Sequence, residues 1–189
     1  MYKLTGVMFS QEEIEAKVIE LSKQIEKDYK GQDLLLVGIL KGASVFVADL
    51  MRKIDLNVNI DFMSVSSYGS GTVSSGTVKI LKDLDEDIKD KNVLIVEDII
   101  DSGITLRNLY DTLMTREPRS LKLCTLLNKP ARKKVDVDVD YVGFVIEDKF
   151  IVGYGIDYYE KYRNLPWLSP SKKTVPSLYH IRYSSYKLS

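Results

Sequence analysis

The stretch Asn92–Arg107, NVLIVEDIIDSGITLR, decides the fold. Val93 to Val96 is short, apolar and rich in β-branched residues, the pattern of a central strand in a parallel sheet covered on both faces. It ends abruptly in acid: Glu97 and Asp98 follow the last apolar residue, and Asp101 comes two isoleucines later. Ser102, Gly103, Ile104 and Thr105 then lead into a helix-like run, Leu106 to Met114. Gly103 permits backbone geometry closed to other residues. The free N–H groups and positive dipole end of the helix make a seat for an anion, and the Ser102 and Thr105 hydroxyls complete a phosphate cradle. Three carboxylates beside a phosphate would repel it unless ribose hydroxyls and a divalent cation separate and neutralise the charges. The competing reading of the turn alone is an ordinary strand-turn-helix joint with Asp101 or Ser102 as N-cap.

Upstream, Ser10 and Glu13 form a capping-box signature, and Ile14, Val18, Leu21 and Ile25 mark one apolar helix face, with Gly31 as a stop. Leu34–Leu40 is a second apolar strand that runs into Lys41-Gly42 before a helix over Ser44–Arg52. Val58, Ile60 and Phe62 alternate with polar neighbours in a strand reaching Val65, with one solvated face. Ser67–Thr77, SYGSGTVSSGT, has almost nothing to bury and reads as a movable lid or a floppy hairpin. Val78–Leu81 resumes a strand, and Asp83–Asp90 is an acidic connection. Downstream come strands at Leu121–Leu127 and Tyr141–Ile146, separated by Asn128-Lys129-Pro130 and the basic cluster Arg132–Lys134, then the short apolar run Phe150–Tyr154. Strands alternating with helices imply a mainly parallel sheet in an α/β fold, with ligands at the carboxyl ends of the strands. Lys41, Glu97–Thr105 and Lys129 all stand at such ends.

The 189 residues suit one domain with at most a small subdomain. With 27 Lys+Arg against 27 Asp+Glu, bulk charge gives no reason to expect a nucleic-acid or membrane partner. The single cysteine, Cys124, lies in an apolar run and reads as buried and inert, against a disulfide framework or a thiolate metal site. No 18-residue apolar run or signal-peptide pattern is present, so a cytoplasmic location is expected. His180 is the one histidine, which makes histidine-based triads a poor fit.

The run VLIVEDIIDSGITL resembles the phosphoribosyl-pyrophosphate signature of type I phosphoribosyltransferases, and its Glu97–Gly103 portion looks like the purine salvage branch. Leu40-Lys41-Gly42, Ser67-Tyr68, Val78–Asp83, Lys129-Pro130, Asp148–Tyr154 and Asp157–Arg163 are similar, in order and spacing, to bacterial hypoxanthine phosphoribosyltransferases. The resemblance implies a type I phosphoribosyltransferase fold in a single domain 1–189: a core over roughly 32–147, its mainly parallel sheet flanked by helices, and a small hood from roughly 1–12 and 148–189. It implies transfer of 5-phosphoribosyl from phosphoribosyl pyrophosphate to N9 of hypoxanthine, and of guanine as well, with release of pyrophosphate. Asp101 would be the catalytic acid/base opposite purine N7. Asp101, Ser102, Gly103, Ile104 and Thr105 would hold the 5-phosphate, while Glu97 and Asp98 would meet the ribose hydroxyls directly or through Mg²⁺, with Asp157 at a second magnesium or its waters. Lys41, Gly42 and Arg163 would bind pyrophosphate, Lys129 the purine O6, Phe150 a stacking face and Ile151 the base edge. Ser67 and Tyr68 would root the lid.

A carboxylate with an ordinary pKa of about 4 is too weak a base to strip a neutral purine N–H before reaction, so proton transfer should follow bond formation. Taken singly, Phe150 also reads as core, Lys129 as a solvated cation and Asp157–Arg163 as a helical surface pair. A guanine- or xanthine-preferring transferase and a non-catalytic phosphoribosyl-pyrophosphate sensor are the alternative functions. The resemblance also implies a dimer or tetramer. Arg132–Lys134 takes no secure role from the family pattern. Ser169–Ser189, basic and without acids, reads as a cap on the base side, an assembly element or a loose tail.

Overall fold

The apolar runs assemble into the middle of a six-stranded sheet in the computed structural model of the chain, which describes residues 2–67 and 78–173. In chain order the elements are β1 (Tyr2–Leu4), α1 (Gln11–Asp28), β2 (Leu34–Leu40), α2 (Ser44–Lys53), β3 (Val58–Ser67), β4 (Val78–Lys82), β5 (Asn92–Ile100), α3 (Ile104–Met114), β6 (Ser120–Asn128), β7 (Tyr141–Val145), β8 (Ile151–Val152) and β9 (Ser169–Lys173). The large sheet runs β4-β3-β2-β5-β6-β7. All its pairings are parallel except the β3–β4 edge.

Helix α1 starts where the capping box places it: the Ser10 hydroxyl accepts from the Glu13 N–H at 3.3 Å and the Glu13 carboxylate accepts from the Ser10 N–H at 2.7 Å. Its buried face is Ile14, Val18, Leu21 and Ile25, and it ends at Asp28, before Gly31, which has φ +72°. Helices α1 and α2 cover one face of the sheet around Leu36, Leu94 and Cys124. Helix α3 packs on the other around Val37, Ile95 and Leu123. The central strands are therefore covered on both sides, as a near-continuous apolar sequence requires. Cys124 is buried and unpaired, and burial pushes its thiol pKa far up.

Two sequence expectations need correction. Strand β5 does not stop at Val96 but continues through Glu97 and Asp98 to Ile100, because β6 keeps pairing with it as far as Ile100↔Asn128. Its other neighbour, β2, leaves at Gly38↔Val96, and the acids stand where one flank of β5 has opened. In β3, Val58 and Phe62 pack on the core while Ile60 between them is 45% exposed. Helices α1 and α2 lie mainly over β2, β5 and β7 rather than β3, so the alternation does not become a buried row.

A second, three-stranded antiparallel sheet, ordered β1-β9-β8, joins the two ends of the described chain. Part of the run Ser169–Ser189 is thereby fixed as β9, and residues 174–189 lie outside the described residues. So do residues 68–77, which carry Tyr68 and nearly all of the expected lid; for Ser67 only the backbone, at the end of β3, is described. Among the described residues, no helix is long and apolar enough to cross a membrane.

Candidate active site

The turn after β5 leaves the start of α3 open. Gly103 is the N-cap residue, in the left-handed region at φ +77°, and no side chain caps the helix. The reading of Asp101 or Ser102 as an ordinary N-cap is therefore wrong; Ser102 Oγ only approaches the Ile104 N–H, at 3.5 Å. The first-turn N–H groups of this three-turn helix stay available for an anion. A cavity of about 180 Å³ opens here, lined by Glu97, Asp101, Ser102, Gly103 and Thr105 with Ile39 among the apolar residues. Ile104 begins the helix at the edge of this seat.

Glu97 and Asp98 are consecutive on β5, yet their carboxylates interact. Burial, then the Asp98 charge, pushes the Glu97 pKa well above its usual range. Burial also raises Asp98, to about 6, against the opposing pull of the Ile99 N–H, which donates to Oδ1 at 2.9 Å, and of the Arg163 charge. Glu97 Oε2 is buried with no hydrogen-bond partner. Two crowded carboxylates with an orphaned oxygen are short of positive charge. Among the described residues no group of three metal-ligating side chains exists. A cation held here would need hard-oxygen ligands from a substrate and water as well, which is how Mg²⁺ is commonly bound.

The facing wall is Lys41-Gly42, and the Leu40–Lys41 peptide is cis. Gly42 lies so close to Asp98 that a Cβ there would fall 1.9 Å from Oδ2. Gly155, at φ +95°, presses from the far side, and a Cβ on it would fall 2.1 Å from the Gly42 carbonyl oxygen. Behind it Arg163 donates to the Gly155 carbonyl at 2.8 Å and pairs with Asp157 at 2.8 Å and Glu160 at 3.4 Å. Its Nε is buried without a partner. Segment 153–163 is a series of turns and bridges rather than a helix, so the helical surface-pair reading of Asp157 and Arg163 fails. Lys41 reaches Glu160 at 3.1 Å.

On the side of β6 and β8, Lys129 is only 6% exposed, which removes its reading as a solvated cation. Its backbone N–H donates to the Ile100 carbonyl at 3.0 Å, fixing it beside the Asp101 turn. Phe150 is 43% exposed, so it is not core, and it meets Tyr158 edge-on with centroids 5.4 Å apart. Ile151 is buried in β8, its backbone tied into the small sheet opposite Pro170. Sequence reasoning missed Arg132, which pairs with Asp101 at 2.9 Å, and Glu160. The basic cluster that holds Arg132 does not say which carboxylate it meets, and no local pattern marks Glu160. Gly155 was visible only as a glycine.

A larger cavity, of about 520 Å³, lies elsewhere, between α1, α2 and Tyr154–Pro166, lined by Glu15, Asp49, Arg52 and Lys53 among others. Arg163 reaches its edge with an unpartnered Nε, but its other acids and bases are paired: Arg52 with Asp49, Lys53 with Glu15 at 2.7 Å, and Tyr154 donating to Asp49 at 2.6 Å. The smaller cavity holds the unpartnered Glu97 Oε2 beside the uncapped start of α3.

Residues 8–159 match the family described as phosphoribosyl transferase domain. The chain is 54% identical over 164 residues to the hypoxanthine phosphoribosyltransferase of Escherichia coli, covering 86% of this chain and 92% of that protein. It is 49% identical over 171 residues to a bifunctional protein TilS/HprT of Listeria monocytogenes; the match covers 90% of this chain but only 26% of that longer protein. A crystal structure of a hypoxanthine-guanine phosphoribosyltransferase from Bacillus anthracis superposes with a TM-score of 0.86 at 52% identity, covering 89% of this chain and 99% of that one.

Proposed function

The chain belongs to the phosphoribosyl transferase domain family, and from that premise we propose that it transfers 5-phosphoribosyl from phosphoribosyl pyrophosphate to N9 of a 6-oxopurine, hypoxanthine and guanine, releasing pyrophosphate. The observation that carries the reading is one strand end: the uncapped, glycine-started N-terminus of α3 follows a crowded pair of carboxylates on β5, the buried Asp98 and the half-buried Glu97. A phosphate on the first and ribose hydroxyls on the second fix a phosphoribosyl group by both ends.

In this reading the residues Asp101–Thr105 bind the 5-phosphate through backbone N–H groups and the Ser102 and Thr105 hydroxyls. Lys41, the Gly42 backbone and Arg163 bind the pyrophosphate. Glu97 and Asp98 would hold one Mg²⁺, and Asp157 would approach a second or the waters of that second ion; the bound metal would supply positive charge that lets carboxylates and phosphates share the pocket and would ease departure of the diphosphate. Lys129 donates to the purine O6, Phe150 stacks on the ring, and the Ile151 backbone meets its edge. As N9 bonds to the ribose anomeric carbon, that carbon's bond to pyrophosphate oxygen breaks, and the purine gains positive charge. Asp101 then takes the proton from N7. The small sheet serves as a hood on the base side, and the loop rooted at Ser67 and Tyr68 excludes water from the reacting sugar.

Pyrophosphate release, followed with hypoxanthine, guanine and xanthine in turn and with Mg²⁺ present or chelated, tests this directly. The expected result is Mg²⁺-dependent turnover with hypoxanthine and guanine. Tight phosphoribosyl-pyrophosphate binding with no turnover on any purine would mean a sensor instead of an enzyme.

A further inference from the structure

Arg132 has no part in the assignments above, yet it sits on the side chain proposed to move the proton. It closes the single 3₁₀ turn Pro130–Arg132 after β6. Its Nε donates to Asp101 Oδ1 at 2.9 Å, and its Nη1 lies 3.5 Å from Asp148 Oδ2. Backbone bonds pin the loop on both flanks of that contact: the Lys129 N–H to the Ile100 carbonyl at 3.0 Å and the Lys134 N–H to the Ser102 carbonyl at 2.9 Å. Ile100 and Ser102 are the two neighbours of Asp101, so the arginine is delivered to the carboxylate by the main chain. Asp148, its other partner, stands two residues before Phe150.

The side chains of Arg132 and Asp101 are 52% and 45% exposed, and ion pairs this open contribute little to folding stability. The contact matters through direction. A guanidinium is a rigid planar fork; one of its nitrogens holds Oδ1 of Asp101 while another lies toward Asp148, which restrains the rotation of the Asp101 carboxylate. Among the described residues, Oδ2 has no hydrogen-bond partner. We infer that Arg132 is a positioning residue for the transfer: it turns the free oxygen of Asp101 toward the purine N7 and, through Asp148, keeps that oxygen in register with the stacking loop. The inference rests on Asp101 being the proton acceptor.

The test is a double-mutant cycle on pyrophosphate release at saturating substrates, using Arg132→Gln, Asp101→Asn and the pair, with Arg132→Lys and Asp148→Asn alongside. Misplacement of a reacting group by about 1 Å costs up to about a hundredfold in rate; for a carboxylate loosened but still present, Arg132→Gln should lower kcat about tenfold. The KM for phosphoribosyl pyrophosphate and the urea midpoint should hardly move. Arg132→Lys, which keeps the charge without the fork, should recover only part of the rate, and Asp148→Asn should lose less than Arg132→Gln. In the Asp101→Asn background Arg132→Gln should add nothing further. A kcat for Arg132→Gln within twofold of the parent overturns the role, as does a tenfold loss that persists in full without the Asp101 carboxylate. Near-normal turnover in Asp101→Asn alone sinks the underlying acid/base reading, whereas a crippled Asp101→Asn beside an unimpaired Arg132→Gln sinks only the role of Arg132.

Discussion

Replacing Gly42 by alanine puts one methyl group against the acid pair. Nothing about the backbone forbids it, since Gly42 is not among the residues with positive φ. The conflict is with Asp98, whose Oδ2 would lie 1.9 Å and whose Cγ 2.6 Å from the new Cβ. Carbon–oxygen contacts settle at about 3.3 Å or more, so the carboxylate must withdraw by about 1.4 Å or the Lys41-Gly42 loop must lift by as much. Retreat is hindered, because Asp98 is buried and held by the Ile99 N–H. Lifting is hindered by Gly155 behind the Gly42 carbonyl. Overpacking of this kind costs about 1–3 kcal/mol, a fall in melting temperature of about 2–12 °C for a chain of this size. Displacing a binding group by more than about 1 Å should lower kcat/KM for phosphoribosyl pyrophosphate by about a hundredfold. Thermal unfolding by circular dichroism and pyrophosphate release at varied phosphoribosyl pyrophosphate measure the two effects. A Gly42→Ala protein with the parent's melting temperature and kcat/KM would refute the packing argument.

Asp101→Asn should cut turnover by about 10² to 10⁴ and leave phosphoribosyl-pyrophosphate affinity, read by calorimetry, nearly intact; a full-rate variant excludes Asp101 as the proton acceptor. Phe150→Ala should weaken purine binding by about 1–3 kcal/mol if its exposed ring stacks on the base, and an unchanged KM for hypoxanthine would remove that role. Asp83 is held below the usual carboxylate range by Arg116, which donates to both its oxygens at 2.7 and 2.9 Å. A depressed folded-state pKa stabilises above the unfolded value and is lost as pH falls through the folded one. Asp83→Asn should therefore cost more stability at pH 7 than in acid, by no more than about 1 kcal/mol because the pair is half exposed. Urea denaturation under the two conditions checks this, and a penalty that persists in full in acid would assign the effect to something other than the charge.

The large sheet was legible because its strands are covered on both faces, so β2 and β5 announce themselves as unbroken apolar runs. Helix α1 was legible because its capping box and its buried face are local patterns. The end of β5 was misread for a related reason: carboxylates usually mark the surface, and here two of them continue a ladder that only the distant β6 sustains. The contacts of Gly42 were illegible, because a glycine does not say which neighbour has claimed the space of its missing side chain. Arg132 could not be placed because it meets Asp101 across 31 positions of sequence, through a loop that no periodicity describes. Lys129 and Phe150 invert ordinary expectation, the cation being buried and the aromatic exposed, and functional sites are where such inversions concentrate.

The small sheet bears on the order in which this molecule can be built. It pairs Tyr2 with Lys173 and Leu4 with Ser171, contacts that span almost the whole described chain. The parallel core, from β2 to β7, closes over much shorter loops. Contacts of such separation carry the greatest loop-closure entropy and tend to form after local ones. The phosphate seat belongs to the part that can mature early, while the platform beside Phe150 waits for both ends of the chain to meet. Hydrogen exchange should accordingly find the amides of β1 and β9 opening more readily than those of β5 and β6, so that the surface beside Phe150 depends on the least secure pairing of the chain and the turn after β5 on the most secure.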